Sequence, residues 1–356
     1  MTFKPLNEND TVNTRTLLHE AIPLTGAIVS GTYGTGNIKN YSHGMFQSVY
    51  DYPYLSSSAN HIFDITTGMH VDSAIASTDT QFRKKRNIYN QMAQILMGYD
   101  ATGSIQKFDE DGDLLAGGAK MQECFIVPFS RLLSKDEIKK ETFELKLGVK
   151  ATFATPFDSL ITISDVSAST EYRTNSPAGD YGILYATASS GLLAGSGNKT
   201  QIGGVDYWHA GLLFYQAGIA VLTGSIFGSQ LATPAVEMDS AGTLITDLMT
   251  GSTIDANADA LRHRIFNLEF NNTTELNSTV YFCRINHNEF NYSSNPTYVS
   301  GSRINVKTQA TDEPVAYITT VGLYNDNNEL LATAKLSEPL KKTASNEFTL
   351  RNRLDY

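Results

Sequence analysis

Seven histidines, at positions 19, 43, 61, 70, 209, 263 and 287, are the residues best suited to proton or metal chemistry near neutral pH. They are dispersed, and none has a second histidine two to four residues on, the local spacing of a zinc pair. His61 precedes Asp64 closely enough for a base and its orienting carboxylate, but a strand-and-turn stretch gives that pair no defined geometry. The run Asp109-Glu110-Asp111-Gly112-Asp113 has the oxygen ligands of a calcium loop. An EF-hand also needs a late bidentate Glu between two helices, and position 120 is Lys among strand-like residues. A hairpin with an Asp-Gly turn explains the run better, with Asp109 and Asp111 solvated on it. Gly31, Gly34 and Gly36 follow a GxxGxG order with no clear helix after them, which reads as a turning loop rather than a dinucleotide fingerprint. No GxSxG elbow and no Walker loop occurs. Cys124 and Cys283 stand far apart without metal-ligand spacing, as suits a reducing compartment. No catalytic set, metal or cofactor is expected.

The elements that would position such residues are mostly strands. The one long helix is expected at Asp79–Met97, where Asp79 or Thr80 caps and Ile88, Met92, Ile95 and Leu96 recur at helical spacing before Gly98. Its basic start, Arg83-Lys84-Lys85-Arg86, reads as a solvated helix face. A second, short helix is expected at Ser134–Lys140, with Ser134 and Glu137 at capping-box spacing. FELKLGVKATF from Phe143 and LITISDV from Leu160 alternate as strands. Residues 167–204, rich in Ser, Ala and Gly, read as a connector around short strands. Leu212–Tyr215 and Ile219–Thr223 are expected as two buried strands joined at Gln216-Ala217-Gly218, with Trp208 packing at the strand edge. LRHRIFNLEFNN alternates again, and a turn is expected near Asn271–Asn277 before STVYFCRI. The expected class is mainly β: layered antiparallel β-sandwich-like domains, with one longer and one short helix in the N-terminal part. Three domains are expected: residues 1–149 (α+β), 150–250 (Gly/Ser-rich β) and 251–356 (β, ending in a three-stranded unit).

At 356 residues the chain can bury sizeable cores, yet only 18% of it is charged against a usual share of about 25%. Ser, Thr, Asn and Gly fill the difference, as in strands, turns and polar interfaces. A formal net charge of -10 without a long basic run argues against a nucleic-acid or membrane-surface binder. The segment from Tyr207 to Val236 lacks charge, but Gln216, Thr223, Ser225 and its glycines, with acidic flanks, fit buried strands better than a membrane helix. The first residues show no apolar core of a secretory signal.

Two stretches stand out as surfaces. Val315–Tyr324 and Glu329–Leu336 are rich in β-formers and flank Asn325-Asp326-Asn327-Asn328, residues that tolerate the left-handed backbone of a hairpin turn. Glu347–Leu354 alternates as a third strand with Phe348 and Leu350 on one side. FDEDGDLL at Phe108–Leu115 echoes YNDNNELL at Tyr324–Leu331, position for position in character. Far upstream, YSHGMFQSVYDYPYLSSSANHIFDIT is dense in aromatics, with Tyr50, Tyr52 and Tyr54 at its centre.

ITTVGLYNDNNELLATAKL resembles a hairpin recurring in virion proteins of tailed bacteriophages, where tail-fibre and baseplate components attach. Val321, Gly322, Leu323, Tyr324, Leu330, Leu331, Ala332 and Ala334 carry that resemblance. The aromatic stretch, with NIYNQMAQILMG downstream, is similar to baseplate or neck proteins of large contractile-tailed phages. The resemblance implies a non-enzymatic virion building block, foremost a baseplate wedge subunit. Such a protein assembles in the host cytoplasm as a symmetric oligomer with other virion structural proteins, without direct nucleic-acid binding or membrane insertion. The assembly residues expected on this basis are Val321, Leu323, Tyr324, Leu330, Leu331, Phe348, Leu350 and Tyr356, with Tyr50, Tyr52 and Tyr54 as a second patch. A head decoration or head–tail connector protein is the nearby alternative. A carbohydrate-binding β-sandwich, motivated by the three tyrosines, is the alternative of a different class.

Overall fold

The computed structural model describes residues 3–18, 35–112, 120–133, 136–188, 191–193, 199–231, 236–293, 298–300, 303–304, 308–309, 311 and 315–356. They fall into two compact units, Leu18–Thr274 and a terminal unit of Met1–Leu17 with Glu275–Tyr356. In chain order the strands begin with β1 (Thr11–Leu18), β2 (Ile38–Asn40), β3 (Gln47–Tyr50) and β4 (His61–Met69). Helix α1 (Thr80–Leu96) is followed by β5 (Glu123–Pro128), β6 (Glu137–Ile138), β7 (Glu144–Gly148) and β8 (Leu160–Ser164). The single turn α2 (Ala168–Glu171) precedes β9 (Arg173–Ser176), β10 (Gly179–Ala188), β11 (Lys199–Ile202), β12 (Val205–Phe214) and β13 (Ile219–Thr223). Helices α3 (Ile245–Gly251) and α4 (Ile254–Arg264) lead into β14 (Ile265–Glu269) and the long β15 (Asn272–Ile285). Last come β16 (Val299–Ser300), β17 (Arg303–Ile304), β18 (Ala316–Tyr324), β19 (Leu330–Lys342) and β20 (Phe348–Asp355). The protein is mainly β, with antiparallel sheets and few helices.

The larger unit is built on one antiparallel sheet in the order β14-β7-β8-β10-β12-β13-β5-β4-β3-β2, with β9 beside β10 and β11 beside β12. Both faces are buried. Phe125 and Val127 of β5 enter one apolar cluster, whereas Cys124 and Ile126 enter the other; Leu213 and its neighbours Leu212 and Phe214 divide the same way. Strands covered on both faces read as continuous apolar runs, which is why the uncharged segment at β12 and β13 looked membrane-like. No helix among the described residues is long and apolar enough to cross a membrane. Ile88, Tyr89, Ala93 and Leu96 of α1 pack into one cluster, and Leu248, Met249, Ala258 and Leu261 of α3 and α4 into the other. Gly68 is needed where α1 approaches β4, since a Cβ there would sit 3.1 Å from the Tyr89 Cα.

Helix α1 forms where its pattern placed it, capped by Asp79, whose carboxylate accepts the Phe82 N–H at 2.7 Å. Two of its residues differ from expectation. Ile95 is exposed, and Lys85 is fully buried rather than solvated, donating to the carbonyls of Met249 and, at 2.8 Å, Ser252. The short helix expected at Ser134–Lys140 does not form. Glu137 and Ile138 are strand β6, paired with Thr273 and Asn272 of β15, and Ser134 lies outside the described residues. Burial of Ile138 in this pairing overrides the local capping pattern. The Ser/Ala/Gly-rich stretch is not a surface connector either: it contains β10, a buried central strand. Its Gly182 admits the Tyr215 hydroxyl, which would lie 2.2 Å from an added Cβ.

Leu261–Arg264, read as strand, ends helix α4, and Asn272–Asn277, read as a turn, belongs to β15. The expected boundary at 149/150 falls inside the sheet, where Gly148 of β7 pairs with Leu160 of β8.

The terminal unit has a different make-up. Its main sheet contains β1, β15 and β20 in that order, while β18 and β19 form a separate two-stranded ribbon. The chain therefore does not end in the expected three-stranded unit. β20 pairs instead with β15, in eight register steps from Ser278↔Asp355 to Ile285↔Phe348. This partner lets Phe348, Leu350, Asn352 and Leu354 share one half-buried face, as the alternation of β20 requires. Among the described residues of this unit the buried apolar side chains are only Val280, Ile285, Val299 and Ala316, matched by buried Asp10, Ser278, Thr279 and Lys342. Both large apolar clusters lie in the other unit.

Candidate assembly surface

The groups with chemical potential are tied into structural networks. His61 Nε2 lies 2.7 Å from Asp64 Oδ1, and the same oxygen accepts from Ser48 Oγ, itself 3.2 Å from the Tyr41 hydroxyl. A nucleophilic serine must donate to the imidazole. Here the carboxylate separates the two, and Ser48 is buried on β3. Asp109 is not a solvated turn residue: it is fully buried, ion-paired with Lys120 across an isolated antiparallel bridge. Burial pushes its carboxyl above the usual range, against the pull of Lys120. The far half of that hairpin, with Asp113, Leu114 and Leu115 of the echoed motif, lies outside the described residues, as do Gly31 and Gly34. Burial likewise pushes the Cys124 thiol well up, which keeps it unreactive. Among the described residues no cluster of three His, Cys, Asp or Glu side chains could hold a metal ion.

The ribbon of β18 and β19 is organised differently. Its turn is closed by Asn325, whose Oδ1 accepts the Glu329 N–H at 2.8 Å and whose Nδ2 donates to Glu329 Oε2 at 2.6 Å. Asn328 takes the left-handed conformation, φ 62°, that its type tolerates. Val321 and Leu323 face Ala334 and Ala332 in register and are half-buried. Tyr324 and Leu330 pair at the tip, and both are exposed, as are Leu331 (68%) and Tyr317 (59%). The Phe3 ring meets the Tyr324 ring edge-on at 4.9 Å. Among the described residues neither outer edge of the ribbon is paired with another strand. An isolated two-stranded ribbon is marginal in water, and covering a leucine contributes about 1.5–3 kcal/mol, so this element gains most from a partner.

β20 offers a second edge. It pairs on one side with β15, and no described strand occupies its other side. Phe348 and Leu350 are half-buried on its inner face, while Arg351 and Arg353 alternate outward. Tyr356 closes the sheet by exchanging backbone hydrogen bonds with Asn277, at 2.8 and 3.2 Å, and leaves its ring 74% exposed.

The expected residues thus divide into a ribbon, a sheet edge and a loop. Tyr50, Tyr52 and Tyr54 belong to the larger unit: Tyr50 is half-buried at the end of β3, and Tyr52 and Tyr54 are exposed beyond it. Tyr317 was missed, though it shares the aromatic, exposed character of Tyr324 on the same strand. The open edges were also missed, because strand neighbours far apart in sequence leave no local trace. Compared with known proteins, the chain matches no family model, no curated protein and no solved structure.

Proposed function

We propose that this protein is a non-enzymatic structural component of a tailed-phage virion, foremost a baseplate wedge subunit, that assembles through its terminal unit. One observation carries the reading: among its described residues this unit exposes Tyr317, Tyr324, Leu330 and Leu331 on a ribbon whose outer edges no described strand pairs, yet buries few apolar side chains. Such a surface is suited to protein neighbours, which cover the leucines and add strands to the edges by β-augmentation. The resemblance of ITTVGLYNDNNELLATAKL to phage attachment hairpins supplies the class of neighbour, other virion structural proteins in a symmetric particle. The hydroxyl, carboxylate and imidazole groups described above serve packing rather than turnover on this reading.

Quantitative mass spectrometry of purified particles tests it. The wild-type chain is expected at about six or twelve copies, as ring symmetry requires. Hundreds of copies would instead favour head decoration. The double variant Leu330→Glu/Leu331→Glu is expected to fold and yet be lost from particles. Incorporation of that variant at the wild-type copy number would remove the ribbon from the interface.

A further inference from the structure

The two strands of the ribbon differ in how their outer edges are protected. A bare strand edge invites another strand, and proteins block it with charges, with proline or with extra residues that break the flat run. β19 has all three. Lys335, Glu338 and Lys341 are exposed along it, and Pro339 sits within it. Its register against β18 also jumps twice. Ile318 pairs with Leu340 but Thr320 with Lys335, and Leu323 pairs with Ala332 but Tyr324 with Leu330, so the surplus residues of both irregularities fall in β19. The edge strand β20 is charged as well, through Arg351, Arg353 and Asp355. β18 has none of these devices. AYITTVGLY contains no charged residue and no proline, and Tyr317, Thr319, Thr320, Gly322 and Tyr324 are exposed along it. Among the described residues β19 is its one strand partner.

The distribution of charge selects what covers this edge. The terminal unit contains ten basic and eleven acidic residues, so it holds -1 of the formal net charge of -10 and the larger unit holds -9. Two copies therefore repel through their larger units and hardly at all through their terminal units. β18 can face itself in any register without like charges meeting. Turned antiparallel about Thr320, it sets Ile318 opposite Gly322 of the second copy and Tyr317 opposite Leu323, with Thr320 opposite itself. The Tyr324 ring leans over Gly322, 2.9 Å from where a Cβ would stand, and gives the incoming Ile318 an apolar neighbour. The β-branched run Ile318–Val321 lies at the centre of this pairing, as suits a strand flanked on both sides. An antiparallel edge contact is also one that a two-fold axis can close. It turns a ribbon that is marginal by itself into a sheet with enough strands to be stable.

We propose that β18 is the strand through which two copies of this chain join, antiparallel about Thr320, into a continuous sheet β19-β18-β18-β19. This rests on the proposed function only in naming one neighbour of the terminal unit; the leucines at the tip and the β20 edge stay available to other virion proteins. Sedimentation of the purified full chain from about 1 to 100 µM, the weak end for specific contacts, tests it. The mass is expected to rise from the 39.0 kDa of one chain towards twice that value. Thr320→Lys and Thr320→Glu, at an exposed position, set like charges face to face and should each weaken association about tenfold. Their equimolar mixture should regain the wild-type strength, because lysine then meets glutamate. Leu330→Glu/Leu331→Glu, confined to β19, should dimerise as the wild type does while being lost from particles, so the dimer and the virion role fail separately. A monomer at every concentration would leave the edge to a different virion protein and overturn the proposal. So would a Thr320 variant that dimerises like the wild type, a mixture that stays dissociated, or a dimer lost with the two leucines.

Discussion

Asp165, buried just after β8, accepts the N–H groups of Glu141 and Phe143 at 2.9 and 3.1 Å and the Tyr215 hydroxyl at 3.0 Å. Burial outweighs these bonds and raises its carboxyl from 3.8 to about 6. A carboxyl raised on folding favours the native state most when protonated. Its contribution is full below the unfolded value near 3.8 and is lost as pH rises through about 6. The swing is on the order of 2–3 kcal/mol. Trp208, the only tryptophan, lies in the same unit and reports its unfolding. Urea midpoints followed by Trp208 fluorescence should rise on acidification through this window in the wild type, more steeply than in Asp165→Asn. Equal slopes would show that Asp165 does not titrate there. Residues of this kind are where sequence reading fails. Lys85 belongs to a basic run and Asp109 to an acidic one, so both look solvated. The burial of Lys85 is decided by Met249 and Ser252, partners that no local window contains, and that of Asp109 by Lys120, 11 residues on but joined to it only by the pairing of the hairpin.

Among the elements, those with local causes were legible. Helix α1 announced itself through the Asp79 cap and its apolar period, and the ribbon through its Asn-rich turn. The turn carries a prediction. Asn328→Val places a β-branched residue at φ 62° and should cost the ribbon about 1–2 kcal/mol, whereas Asn328→Gly should be neutral or slightly stabilising. Hydrogen exchange at β18 and β19 amides reads both. Unchanged protection in the valine variant would contradict the turn geometry. Helix α4 went unseen because its alanines dilute the apolar period. Yet Thr253, which accepts the Ala256 N–H at 3.2 Å, and the closing Arg262-His263-Arg264 are start and stop signals in the sequence. β10 was hidden by its small residues, of which Gly182 admits Tyr215. Of the candidate surface, Tyr324, Leu330 and Leu331 were expected from the resemblance of their hairpin to phage attachment segments. The partner of β20 could not, since β15 is about 70 residues away and strand pairing at that range depends on the whole fold.

For the whole molecule, the contrast between the units has a measurable consequence. The larger one holds both apolar clusters and the terminal one a handful of buried apolar groups among its described residues, so the two should not unfold together. Each contains one cysteine, Cys124 fully buried in the first and Cys283 half-buried on β15 in the second. At intermediate urea, Cys283 should react with a thiol reagent while Trp208 fluorescence and Cys124 stay native. Simultaneous loss would mean a single cooperative block. The sheet of the terminal unit also imposes a schedule on synthesis. Thr14 of β1 meets Ser278 of β15 across 264 residues, through its hydroxyl and the Ser278 carbonyl. As the chain leaves the ribosome at about 5–20 residues per second, β1 must wait while the entire larger unit emerges and folds. The ribbon and the β20 edge follow later still. The exposed ribbon therefore emerges only after the larger unit, so that on the proposed role a nascent chain presents its assembly surface with that scaffold already made.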